Sequence, residues 1–238
     1  MSAAAVAAGA MAVESANVVG YQEITVPTGF SMRGSTFKAI SGSYKISDIA
    51  VLGEDIGGAG NDYAQKINAD GSWGDVYYYL TDDGAGVEDG WYKDVFGDEA
   101  VTDADVIAVG ESLFVTAAST LTFKFAGEVI AGKPEFVIET GFSMFGNPTP
   151  VTSTKISDIE VSGDIGGAGN DYIQKINADG SWGDIYYYLT DDGAGVEDGW
   201  YKDVFGDEAV TDADVLGEGE SVFATAAGDL TLKFPAVL

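Results

Sequence analysis

The sequence predicts an all-β protein made of two tandem, homologous β-sandwich or jelly-roll-like domains. Three observations predict it: an internal duplication, short apolar stretches with a period of two, and glycine and aspartate turns between those stretches. The duplication is tightest in the middle, where Gly57 to Val106 returns as Gly166 to Val215 with two changes, Ala64 to Ile173 and Val76 to Ile185. Two copies of one apolar pattern bury it in the same way, so they specify two copies of one folding unit.

The chain opens on an apolar, alanine-rich run, residues 2–16, in which Ala10-Met11-Ala12 has the form of a secretory cleavage site, although no Lys or Arg precedes Arg33. Residues 1–16 are therefore expected to be a signal-like or flexible segment, residues 17–125 the first β-domain and residues 126–238 the second. GFSM at Gly29 to Met32 matches Gly141 to Met144, and KISDI at Lys45 to Ile49 matches Lys155 to Ile159. The second copy is shorter between these blocks and again near Gly53 to Asp55, which marks surface loops.

Strands are expected at YQEITV (from Tyr21), KISDIAV (Lys45), YAQKIN (Tyr63), GDVYYYL (Gly74), GWYKDV (Gly90), ESLFVTA (Glu111) and TLTFKFA (Thr120). The last carries the plainest alternation, with Leu121, Phe123 and Phe125 on one face and Thr122 and Lys124 on the other, and Leu230 to Phe234 repeats it. Turns are expected at Asp70-Gly71 and Asp82 to Gly84. The stretch from Ala100 to Gly110 is expected to hold one short helical turn. Nothing between the strands has a long helical period, which disfavours an α/β fold.

Charge narrows the partners. Thirty-nine acidic residues against 11 basic ones give a formal net charge of −28. Such a surface excludes nucleic acid as a partner, disfavours anionic membranes, and favours divalent cations, cationic partners and saline surroundings. The chain has no Cys and no His, which removes thiol nucleophiles, Cys/His zinc sites and histidine acid–base chemistry. No stretch has transmembrane length and character. A paired-carboxylate glycosidase needs no histidine, but short loops on small β-units offer little room for a deep cleft, so no enzyme is expected.

Carboxylates at alternating positions around glycine turns are the ligands calcium requires. The candidate metal ligands are Asp62, Asp70, Asp75, Asp82 and Asp83, with their copies Asp171, Asp179, Asp184, Asp191 and Asp192. The same Asp-Gly pairs are common hairpin turns, and the spacing is not that of an EF-hand. The aromatic group Trp73, Tyr77, Tyr78, Tyr79, Trp91 and Tyr92, copied from Trp182 to Tyr201, has three readings: core, protein interface or sugar platform, in that order.

Two resemblances accompany these readings. GGAGNDYAQ at Gly57 and GGAGNDYIQ at Gly166 resemble the glycine-rich calcium nonapeptide of repeats-in-toxin proteins, which implies Gly57, Gly58, Gly60 and Asp62, then Gly166, Gly167, Gly169 and Asp171, as the matching positions. That family stacks tandem nonapeptides, whereas each unit here holds a single copy. A unit that opens with NVVGYQ, passes through GFSM and closes on a GES-apolar-Phe strand is similar to secreted tandem-repeat surface proteins of bacteria. The resemblance implies a secreted or cell-surface location and brings no activity with it.

The expectation is therefore a non-enzymatic extracellular structural protein, such as a surface-layer, adhesin or filament subunit. Self-association by β-strand addition would use the stretch Val13 to Val26 and the C-terminal LTLKFPAVL. The alternative is a calcium-stabilised tandem carbohydrate-binding module.

Overall fold

The computed structural model describes residues 19–40, 42–52, 63–81, 88–93, 99–149, 153–163, 171–190, 197–202 and 208–236. The first repeat contributes β1 (Val19–Val26), β2 (Gly29–Gly34), β3 (Phe37–Lys38), β4 (Tyr44–Lys45), β5 (Ala50–Leu52) and β6 (Tyr63–Ile67). It continues with β7 (Trp73–Leu80), β8 (Gly90–Lys93), β9 (Glu99–Ala100), β10 (Val106–Ile107), β11 (Ser112–Ala117) and β12 (Leu121–Val129). The second repeat contributes β13 (Glu135–Ile138), β14 (Gly141–Gly146), β15 (Ser153–Lys155), β16 (Glu160–Gly163), β17 (Tyr172–Ile176) and β18 (Trp182–Leu189). It closes with β19 (Gly199–Lys202), β20 (Glu208–Ala209), β21 (Val215–Gly217), β22 (Ser221–Ala226) and β23 (Leu230–Lys233).

The chain is all-β with antiparallel sheets, as expected. Each repeat carries a six-stranded sheet, β2-β11-β6-β7-β8-β9 in the first and β14-β22-β17-β18-β19-β20 in the second. Each also carries a smaller sheet, β1-β12-β3 with β5 on β12, and β13-β23-β16. Short ladders β4–β10 and β15–β21 complete the pattern. The four larger sheets have a layout like that of a four-bladed propeller.

The period-two pattern decides which sheets face each other. Ile24 and Val26 of β1 and Leu121, Phe123 and Phe125 of β12 meet Leu113 and Val115 of β11 and Tyr77 of β7 in one buried cluster. Phe136, Ile138, Leu230 and Leu232 meet Val222, Ala224 and Tyr186 in the equivalent cluster of the second repeat. Burial of each such side chain contributes about 1.5–3 kcal/mol. Strand β12 runs on to Val129, across the expected joint between residues 125 and 126.

A third cluster joins the repeats. Met32, Phe114, Met144 and Phe223 are all buried in it. That explains SLFVTA in β11, which hardly alternates: Leu113, Val115 and Ala117 fill the repeat's own core while Phe114 points to the other repeat, and a strand covered on both faces needs no polar side. The contacts are reciprocal. The amide of Phe30 donates to Ala178 O at 2.9 Å, and that of Phe142 to Ala69 O at 3.0 Å. Gly29 and Gly141 have φ of 99° and 117°, and a Cβ on either would lie 2.0 or 2.2 Å from the carbonyl oxygen of Ala178 or Ala69.

Three expectations need correction. KISDIAV is not one strand, because a 3-10 turn at Ile46–Asp48 separates β4 from β5 and drops Ile46 into the core. The expected helical turn between Ala100 and Gly110 is a tight turn closed by Asp105 N on Thr102 O, followed by β10. The terminal strands expected to be donated between subunits are already paired within the chain: β1 lies in full register on β12, and β23 is held between β13 and β16. The residues before Val19 lie outside the described part.

Candidate functional site

The described candidate calcium ligands are engaged in holding turns or stand apart. Asp70 Oδ1 accepts the Ser72 amide at 2.9 Å and its hydroxyl at 2.6 Å, closing the hairpin between β6 and β7 in which Gly71 has φ of 82°. Asp179 does the same with Ser181. The serine bonds hold both carboxyls below the usual aspartate range. Asp75 and Asp184 are exposed on β7 and β18. Asp171 is buried and accepts the amide of Ala227, tying β17 to the β22–β23 turn. Asp62, Asp82, Asp83, Asp191 and Asp192, and the nonapeptide glycines, lie outside the described residues. Among the described residues, no three acidic side chains come together as a metal site.

The aromatic group divides between core and surface. Tyr77 and Trp91 fill the first core, and Trp91 Nε1 donates to Ile49 O at 2.8 Å. Tyr78 is buried on the other face of β7 and stacks on Tyr92 at 6.3 Å. Trp73 leans on Phe114 at 5.0 Å yet is 46% exposed, and its copy Trp182 is 51% exposed. A surface cleft of about 450 Å³ beside this group is lined by Tyr79, Trp91 and Tyr92 with Asp48, Glu88 and Asp89. Burial, and then Asp89, raise the Tyr79 phenol.

A further polar cluster carries no signal in the sequence. Asp105 is 5% exposed. Its carboxylate accepts the Thr102 amide at 2.7 Å, the Thr102 hydroxyl at 3.0 Å, and Lys93 Nζ at 3.1 and 3.2 Å. The Tyr77 hydroxyl approaches at 3.4 Å. Burial alone would raise this carboxyl, but the bonds from Thr102 and Lys93 outweigh burial and lower it. Tyr77 is raised, first by burial and then by the charge of Asp105. Asp214, Thr211, Lys202 and Tyr186 reproduce the arrangement in the second repeat. A carboxylate saturated by such donors is a poor base, and its chemistry is that of a staple between β8 and the turn before β10.

The only arginine lies at the join between the repeats. Arg33 Nε donates to Thr25 O at 3.1 Å and its Nη1 to Met32 O at 3.0 Å. Its backbone forms an isolated bridge to Glu220. Burial lowers its pKa, and the Glu220 charge opposes that. Nearby, Gln22 Nε2 crosses to Glu218 Oε1 at 3.2 Å. Among the described residues, no helix is long and apolar enough to cross a membrane. A scan of protein-family models, a search of curated proteins and a search of solved structures each find no match to this chain.

Proposed function

We propose that the chain is a non-enzymatic, extracellular structural or surface protein of the surface-layer, adhesin or filament type, in which each repeat is a β-sandwich. The observation that carries this reading is the reciprocal join: Phe30 on Ala178 and Phe142 on Ala69, with Met32, Phe114, Met144 and Phe223 between them, hold the two units against each other rather than as beads on a linker. The sandwich reading is supported by the core in which Phe123 and Phe125 of the small sheet pack on Leu113 and Val115 of the large one. The net charge of −28 suits a surface bathed in salt or divalent cations and resists lateral clumping. Self-association belongs to this reading, through sheet edges, of which β1 is one, or through side-chain surfaces, since β23 is held on both sides.

Electron microscopy of the purified protein in calcium-containing saline tests this. Ordered filaments or lattices are expected. Monodisperse monomers across the accessible concentration range would count against it.

A second reading, a calcium-stabilised tandem carbohydrate-binding module, is favoured by the half-exposed Trp73 and Trp182 and by the cleft at Tyr79 and Tyr92. A glycan array discriminates: saturable binding lost on Trp73→Ala and Trp182→Ala supports the module, and a blank array supports the structural reading.

A further inference from the structure

The join between the repeats contains the same site twice, once filled and once open. In the filled copy the Arg33 guanidinium sits between β1 and β2, on the carbonyls of Thr25 and Met32, with Glu220 close by. Residue for residue, the second copy has Val137 for Thr25, Met144 for Met32 and Glu111 for Glu220. Phe145 stands in place of Arg33, and its ring turns into the second core, 6.3 Å from that of Phe234. The space that a guanidinium occupies in the first copy is in the second a cleft of about 310 Å³, lined by Glu111, Val137, Glu139, Phe142 and Met144.

Backbone orientation follows from the ladders. Phe234 N donates to Pro134 O at 2.8 Å, so the hydrogen-bonded positions of β13 are 134, 136 and 138, and Val137 turns its carbonyl away from β23. On β14, Phe142 N and Gly146 N reach out to Ala69 O and Gly110 O in the first repeat, so Met144 between them faces the same way. Both carbonyls are therefore presented as those of Thr25 and Met32 are. One difference adds charge: Glu139 stands where the filled copy has Pro27.

We propose that this cleft is a docking site for an arginine side chain of a basic partner protein. Its carbonyls take the guanidinium as Thr25 and Met32 take Arg33, its Phe142 and Met144 walls take the aliphatic stem, and Glu139 supplies the counter-charge, since Glu111 is paired with Lys66 as Glu220 is with Lys175 in the filled copy. A second copy of the chain cannot supply the ligand, because its single arginine is already seated in its own join. The strongly negative surface draws cationic partners to it. A lysine ammonium, a compact point charge, cannot span the two carbonyls as a planar fork does.

The test is an NMR titration of the intact protein with N-acetyl-arginine methylamide at fixed ionic strength, with N-acetyl-lysine methylamide as the control. Saturable amide shifts confined to Gly110, Glu111 and residues 137–144 are expected, with arginine at least about tenfold tighter than lysine, the ratio for one charge-assisted bond. Arg33→Ala empties the first copy, so a second set of shifts at Thr25, Met32 and Glu220 is expected and the stoichiometry rises from one to two. No saturable shift at these amides, or an equal response to lysine, overturns the proposal. In the variant, a stoichiometry that stays at one overturns the equivalence of the sites. If Arg33→Ala does not fold, the titration of the intact protein decides alone.

Discussion

The amide of Phe30 and the carbonyl of Ala178 lie 2.9 Å apart although they belong to different repeats, and Phe142 and Ala69 repeat the bond at 3.0 Å. These bonds need close backbone approach, which Gly29 and Gly141 allow. A methyl group at Gly29 would stand 2.0 Å from the Ala178 oxygen, on a backbone with φ of 99°. Gly29→Ala and Gly141→Ala should each destabilise the protein by about 2–4 kcal/mol, from strain plus the lost contact. Denaturant unfolding checks this, and a change below about 0.5 kcal/mol in either variant would mean that the close approach carries no weight.

The TDAD turn contains two aspartates that should behave very differently. Asp103 pairs with Lys45 on the surface at 2.9 Å, while Asp105 is buried under Thr102, Lys93 and Tyr77. Asp103→Ala should change stability by less than about 0.5 kcal/mol. Asp105→Ala leaves Lys93 and the Thr102 amide without their acceptor and should cost about 2–4 kcal/mol. Chemical denaturation of both variants gives the comparison, and equal losses would contradict the staple.

Stability should form a plateau bounded on both sides. Asp70, Asp105, Asp179 and Asp214 have lowered folded-state pKa values, so their contribution is present above the unfolded value near ~3.9 and is lost as pH falls below it. Tyr77, Tyr186, Lys93 and Lys202 have raised values, so their contribution is present below about pH 10 and is lost as pH rises past it. Thermal melts from acid to alkali should show one fall on each side of the plateau. Asp105→Asn should flatten the acid limb, and an unchanged limb would remove Asp105 from this account.

Calcium should raise the melting temperature more than magnesium or sodium does at equal ionic strength, if Asp82, Asp83 and their copies Asp191 and Asp192 form the sites in the calcium reading. Equal effects of the three cations would reduce the contribution to screening.

Much of the fold was readable because period-two patterning and duplication are local signals. The alternation places Leu121, Phe123 and Phe125 on one face, which is the buried one, and the Asp70-Gly71 turn is a hairpin turn. What escaped depends on partners far along the chain. GFSM matches between the copies without an alternating pattern, yet it forms β2 and β14, whose outward face is covered by the other repeat, and a strand buried on both faces has no alternation to betray it. Asp105 looked like one more acid in an acidic loop. Its neighbour Tyr77 lies 28 residues away. The ligand reading of Asp70 and Asp179 rested on spacing around glycine, a pattern shared by metal loops and hairpins, and here the serine two residues on takes the carboxylate.

If the reciprocal join makes the two repeats one rigid body, amide hydrogen exchange reads it at Phe30 and Phe142. The amides of Phe30 and Phe142 should be protected to the level of the core strands β11 and β22, exchange at equal rates, and open only with global unfolding. Exchange of both within the range of exposed loop amides, while β11 and β22 stay protected, would show that the repeats part without unfolding and would contradict the account.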